Sequence, residues 1–275
     1  MKDIILIGID FSDTSNNALQ YGVGLAKKMS ADILLVWVDT TPADEDAETQ
    51  HEKRLEAKHK LKALAADVEA RNTGVNVRCK LRKGMVHREL AFVAKEVDAR
   101  LMVIGTDGIS GVEEFRIENN TFRIIAQSPC PVISVRQNYK VTDKIETLML
   151  PIDEMKNTTD KLPLAIQLAK DIEAGIRLLN IYHPKIESLR NQTNTHSTKA
   201  AKILEKENVI SDVDVPIHTA DPKEVVEAAV NSAVDMLVIM TNPVMSRADI
   251  PEGILAQKVI HFSPIPILSV QAKPI

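Results

Sequence analysis

The run Ile4-Ile5-Leu6-Ile7-Gly8-Ile9-Asp10 opens the chain, and Leu148-Met149-Leu150-Pro151-Ile152-Asp153 repeats it 143 residues later. Each is a short, nearly unbroken apolar run that ends in an acid. Such a run, without polar alternation, is the pattern of a strand buried on both faces, as in a parallel sheet covered by helices. Working outward, Leu25-Ala26-Lys27 recurs as Leu168-Ala169-Lys170 at the same offset, inside a helical pattern. The strand-like Asp32-Ile33-Leu34-Leu35-Val36-Trp37-Val38 is then matched by Gly175-Ile176-Arg177-Leu178-Leu179-Asn180-Ile181.

Further on, the offset falls to 135. Leu101-Met102-Val103-Ile104-Gly105-Thr106 matches Met236-Leu237-Val238-Ile239-Met240-Thr241, and Ser128-Pro129-Cys130-Pro131-Val132 matches Ser263-Pro264-Ile265-Pro266-Ile267. The first copy therefore carries eight extra residues midway, placed in the acidic, helix-prone stretch from Pro42 to about Lys60. Each copy reads as short apolar runs alternating with helical segments, such as Asn16 to Ser30, Val86 to Val97 and Glu224 to Ser232. That alternation predicts βα units, right-handed crossovers and a parallel sheet. The expected fold is α/β: two tandem doubly wound, Rossmann-like domains, 1–137 and 143–275, joined by a polar linker from about Arg136 to Thr142. A ligand would sit beyond the carboxyl ends of the strands, where the strand order reverses.

Composition narrows the function classes. Aromatics make up only 3% of the chain, so the core is aliphatic, and a net charge of −4 gives no pull toward nucleic acid or anionic lipid. Cys79 and Cys130 make neither a disulfide framework nor a metal cluster and read as small apolar residues in a reducing compartment. No run approaches the roughly 20 apolar residues of a membrane helix, and the first ten residues lack a signal-peptide signature. A cytoplasmic protein is expected. The seven histidines, His51, His59, His87, His183, His196, His218 and His261, show no metal spacing and read as surface residues. No nucleophile elbow, Walker loop or zinc-protease motif occurs. The acidic run Asp44-Glu45-Asp46 reads as a solvated loop or first turn, and the polar segment His183 to Lys199 as a mobile loop over the site.

The opening block Asp10-Phe11-Ser12-Asp13-Thr14-Ser15, the strand end Val103-Ile104-Gly105-Thr106-Asp107-Gly108 and the closing Ser128-Pro129-Cys130-Pro131-Val132 resemble the universal stress proteins. The resemblance covers almost the whole chain, twice over. It implies a cytoplasmic stress-response module. In the ATP-binding branch of the family, a G-x2-G-x9-G-(S/T) loop wraps the phosphates and an acid after the first strand contacts the adenosine. Glycines let backbone N–H groups approach phosphate oxygens, and a following helix N-terminus favours negative charge. The family also commonly dimerises through its last strand. In a tandem chain, Val132 to Val135 and Ile267 to Val270 would then make an internal pseudo-dimer, with further homodimerisation left open.

Carried onto this sequence, the resemblance gives a split motif. The first copy keeps Gly105 and Gly108, with Gly111 just beyond, but Glu118 and Asn119 stand where the family has its third glycine and Ser or Thr. A carboxylate beside a phosphate costs up to about 4 kcal/mol at an effective dielectric near 20. The second copy has Met240 and Pro243 at the first two glycine positions, keeps Gly253 at the third, and retains Asp153. The candidate cofactor residues are Asp10, Phe11, Ser12 and Val38 for the nucleoside and Gly105, Gly108, Gly111, Asn119, Asn120 and Thr121 for the phosphates. Asp153 and Gly253 are the remnants in the second copy. The expected cofactor is ATP, ADP or AMP, held weakly and in the first domain, with no metal. The leading function is a non-catalytic regulatory module. A slow ATPase or autophosphorylating switch, with Thr121 or Ser110 as acceptor, and a nucleotide-independent module that contacts an unknown protein partner are the alternatives.

Overall fold

A computed structural model describes residues 2–42, 46–106, 120–142, 144–241 and 250–271, with backbone alone at 250–255. The chain divides into two units, Met1–Val141 and Thr142–Ile275. In the first, β1 (Ile4–Gly8), β2 (Asp32–Asp39), β3 (Val77–Lys83), β4 (Leu101–Thr106) and β5 (Val132–Arg136) form parallel pairs in the order β3-β2-β1-β4-β5. The helices are α1 (Asp13–Met29), α2 (Ala47–Arg71), α3 (Val86–Glu96) and α4 (Asn120–Gln127). β1 lies beside both β2 and β4, so the strand order reverses there, the position at which open α/β sheets place a ligand. Successive crossovers in one direction put α1 and α2 on one face; α3 and α4 take the other.

The second unit repeats the plan. β6 (Thr147–Ile152), β7 (Gly175–Asn180), β8 (Ser211–Val213), β9 (Met236–Thr241) and β10 (Ile267–Gln271) pair in the order β10-β9-β6-β7-β8, again parallel. Its helices are α5 (Leu162–Ile172), α6 (Glu187–Lys206), α7 (Pro222–Asn231) and α8 (Ile250–Phe262). The ladders keep the repeat's register. Ile5 faces Ile33 and Leu101 in one unit, and Leu148 faces Ile176 and Met236 in the other. Even the helix ends match: Ser30 and Glu173 both close their helices in the left-handed conformation, with Ala31 N and Ala174 N donating to Ala26 O and Ala169 O.

The cores are aliphatic, as composition requires. Ile5, Leu6, Ile7, Ile33 and Leu35 are fully buried in the first unit, and Leu148, Met149, Leu150 and Leu178 in the second. The length difference falls between the second and third strands of each unit, where α2 runs for 25 residues and α6 for 20. No described helix is long and apolar enough to cross a membrane.

Two expectations need correction. The segment His183 to Lys199 is mostly helix, because α6 begins at Glu187. Its inward positions Thr193, Ser197, Ala200 and Leu204 have helical spacing, but the first two are polar, which hid the apolar stripe that marks a helix. His87 is also not a surface residue. It lies buried in the first turn of α3, and its Nδ1 is a buried atom without a hydrogen-bond partner among the described residues. Burial first, then Arg123 and Arg88, hold its imidazole below the ordinary histidine range.

Candidate functional site

Asp10 and Asp153 follow the first strand of each unit and build the same turn. Asp10 Oδ1 accepts from Ser12 N at 2.9 Å and Ser12 Oγ at 2.5 Å, and Asp10 N donates to Ser15 Oγ at 3.3 Å. In the second unit Asp153 Oδ1 accepts from Met155 N at 3.1 Å, and Asp153 N donates to Thr158 Oγ1, also at 3.1 Å. Partial burial works to raise the Asp10 carboxyl, but the bonds from Ser12 and Ser15 outweigh it and hold the group below its ordinary value. Ser12 also caps α1, accepting from Ser15 N at 3.2 Å. Phe11 between them takes φ 67°, a left-handed conformation unusual for an aromatic residue, and so turns its ring back over the strand ends.

Gly105 has a packing reason to be glycine. A Cβ there would lie 2.6 Å from the backbone oxygen of Thr14, because the first turn of α1 sits directly on β4. The second unit carries Met240 at the equivalent place, and α5 starts at Leu162, six residues later than α1 starts in the repeat register. Pro163 enforces that late start. It is tolerated in a helix's first turn but breaks a helix interior. With the first turns of the helix withdrawn, β9 accommodates a side chain where β4 cannot.

The first-unit crevice is aromatic and apolar. The Phe11 and Trp37 ring centroids are 6.5 Å apart at a 31° tilt, and Lys60 Nζ stands 5.5 Å from the Phe11 centroid. Val38, next in β2, is half-buried and faces the other side of the sheet, where its neighbour Arg82 pairs with Glu89 of α3. Next in the strand, Asp39 is only 1% exposed; its Oδ1 accepts from Thr41 N at 3.0 Å, while Oδ2 has no hydrogen-bond partner and lies 3.8 Å from Arg54 Nη1. Burial opposes the charge, yet the Thr41 bonds, Lys83 and Arg54 keep the carboxyl below its ordinary value.

Of the other expected site residues, Asn120 and Thr121 form the first turn of α4, Asn120 exposed and Thr121 buried. Gly253 lies within α8. Gly108, Gly111 and Asn119, with Glu118, fall outside the described residues. The structure thus brings Asp10, Phe11 and Ser12 together after β1, with Phe11 beside Trp37 of β2, and leaves Val38 on the opposite face of the sheet.

The second-unit crevice has different chemistry. Lys161 takes the place of Ala18 in the repeat register, and Asn180 that of Trp37. Lys161 is 4% exposed, and its Nζ donates to Thr158 O at 2.8 Å. Burial pushes its ammonium down to about 8, partly opposed by Asp153 and Asp160. His196 Nδ1 lies 3.0 Å from Asp153 O, a bond it makes as the Nδ1–H donor. Tyr182 Oη and Asn194 Oδ1 are 2.6 Å apart on the rim, with the His218 ring 5.5 Å from that of Tyr182. Sequence reasoning missed Trp37, Lys60, Lys161 and Asn180. Aligning the copies residue by residue at the 143 offset exposes the Trp-to-Asn and Ala-to-Lys exchanges. Among the described residues no three His, Cys, Asp or Glu side chains converge as a metal site.

With this geometry in view, the comparisons with known proteins agree on one family. The universal stress protein family model matches residues 1–136. Universal stress protein Sll1654 of Synechocystis is 35% identical over 136 residues, spanning 49% of this chain and 86% of that protein. Universal stress protein YxiE of Bacillus subtilis is 31% identical over 151 residues, spanning 50% of this chain and all of its own. Among solved structures, a universal stress protein from Archaeoglobus fulgidus has the same fold over 98% of this chain and 99% of its own, with a TM-score of 0.80 at 16% identity. The tandem repeat and the parallel strand order define a two-unit, doubly wound α/β protein. The chain belongs to the universal stress protein family.

Proposed function

We propose that the chain is a non-catalytic stress-response module that binds an adenine nucleotide weakly, and only in its first unit. What carries this reading is the Phe11 and Trp37 pair beside Asp10 at the ends of β1 and β2, a surface suited to the flat face of a base. The second unit has lost both rings, with Glu154 and Asn180 in their register positions. Glu118, which stands in the sequence where the family loop has its third glycine, would keep the affinity low.

The test is to purify the protein without nucleotide, denature it, and identify the released small molecules by mass spectrometry. Calorimetric titration with ATP and AMP follows. Binding at micromolar or weaker Kd, lost in Asp10→Ala and strengthened in Glu118→Gly, supports the proposal. Absence of any heat in both the wild type and Glu118→Gly would retire nucleotide binding and leave protein contact as the function. Sustained phosphate release would replace a binding module with an ATPase.

A further inference from the structure

Several polar side chains of the second unit are buried around β7 and the start of α5. Arg177 Nη1 donates to Ser232 O, the cap of α7, at 3.0 Å, so Arg177 faces α7. Side chains alternate along a strand, which turns Asn180 to the opposite face, that of α5 and α6. From α6, Thr193 Oγ1 donates to Ile181 O at 3.3 Å, fixing that helix over the end of β7. From α5 comes Lys161, tied to Thr158 and through it to Asp153. Asn180, Lys161, Thr158, Thr193 and Ser197 are all buried, Asn180 at the last position of β7 and Lys161 just before α5. The first unit has Trp37, Ala18 and Ser15 in register with the first three, and Ala57 and Leu61 at the inward positions of α2.

Two of these groups lack what burial demands. Among the described residues Lys161 makes no ion pair, and only one of its three donors is used. An ammonium this deeply buried, with no ion pair and only the longer-range attraction of Asp153 and Asp160, is rare and costly. Asn180 is 6% exposed and its Oδ1 has no partner among the described residues, again a cost that native interiors rarely leave standing. One vacancy asks for negative charge and the other for a hydrogen-bond donor. A halide or a plain carboxylate answers only the first, and a neutral polyol only the second. A nucleobase needs the apolar walls that this unit has replaced.

We propose that the carboxyl-end crevice of the second unit binds a small organic anion that also carries a donor, an α-hydroxy- or α-aminocarboxylate. Lys161 is its counter-charge, and the Asn180 carboxamide receives its hydroxyl or amine. This site is independent of nucleotide binding in the first unit.

The full-length protein is titrated with glycolate and with glycine, following thermal unfolding and calorimetric heat. Acetate, which has charge without a donor, and ethylene glycol, which has donors without charge, serve as controls at equal ionic strength. Glycolate or glycine at about 100 times its Kd is expected to raise the Tm by roughly 5–10 °C, with neither control doing so. Lys161→Met abolishes the shift while remaining folded, and Asn180→Leu weakens binding at least tenfold. No shift with either probe, an equal response to acetate, or a shift retained in Lys161→Met would each overturn the proposal.

Discussion

Gly105 and Lys161 are single residues whose cost or necessity is set by their immediate surroundings. Since a Cβ at Gly105 collides with backbone rather than with a movable side-chain tip, Gly105→Ala is expected to destabilise the first unit by about 1–3 kcal/mol with or without nucleotide. Trp37 is the only tryptophan, so its fluorescence during urea unfolding reports the first unit selectively. An unchanged midpoint would mean that α1 moves aside freely. Lys161 works the other way. Its folded-state value of about 8 lies below the ordinary lysine value, so the unfolded chain binds the extra proton between the two. The native state is therefore penalised in full below about pH 8, and the penalty fades as pH rises toward about 10.4. Lys161→Met is expected to stabilise the second unit at pH 7 by roughly 1–3 kcal/mol, with the advantage shrinking at higher pH. The check is circular dichroism of thermal unfolding at pH 7 and pH 9.5. A variant less stable than wild type at pH 7 would show that the ammonium is already well solvated.

At the scale of elements, helix starts distinguish the two units. Ser12 caps α1 and also donates to Asp10, so it joins the helix to the strand-end turn. Ser12→Ala should cost about 1 kcal/mol of first-unit stability, read again from Trp37. The equivalent Met155 caps nothing, because Pro163 holds the start of α5 at Leu162. Most of this architecture was legible in the sequence. The apolar runs ending in Asp10 and Asp153, the 143 and 135 offsets and the closing Ser-Pro segments gave the strands, their repetition and the sheet type. What escaped had a physical cause in each case. α6 hid because Thr193 and Ser197 occupy its buried stripe. His87 gave no sign of burial, since its position depends on how α3 meets α4. The packing role of Gly105 depends on an approach by α1 that no spacing along the chain encodes.

For the molecule as a whole, the repeat invites the expectation of two equivalent ligand sites, and the side chains oppose it. Both units retain the same strand register and the same acid-centred turn, so the backbone frame of a site is present twice. The residues in register diverge: Phe11, Trp37 and Ala18 in the first unit, Glu154, Asn180 and Lys161 in the second. Stacking on an aromatic surface favours a base, whereas a buried, unpaired ammonium and an unpartnered carboxamide do not. An adenine nucleotide should therefore bind with a stoichiometry of one per chain. Calorimetry with ATP gives that number directly, and photo-crosslinking with an azido-adenine analogue, followed by peptide mapping, gives its location. Labelled peptides are expected from residues 1–141 alone, with labelling lost in Asp10→Ala and unaffected by Lys161→Met. Two nucleotides per chain, or label concentrated between residues 142 and 275, would mean that the shared backbone frame governs recognition and that the exchange of Trp37 for Asn180 has no bearing on it.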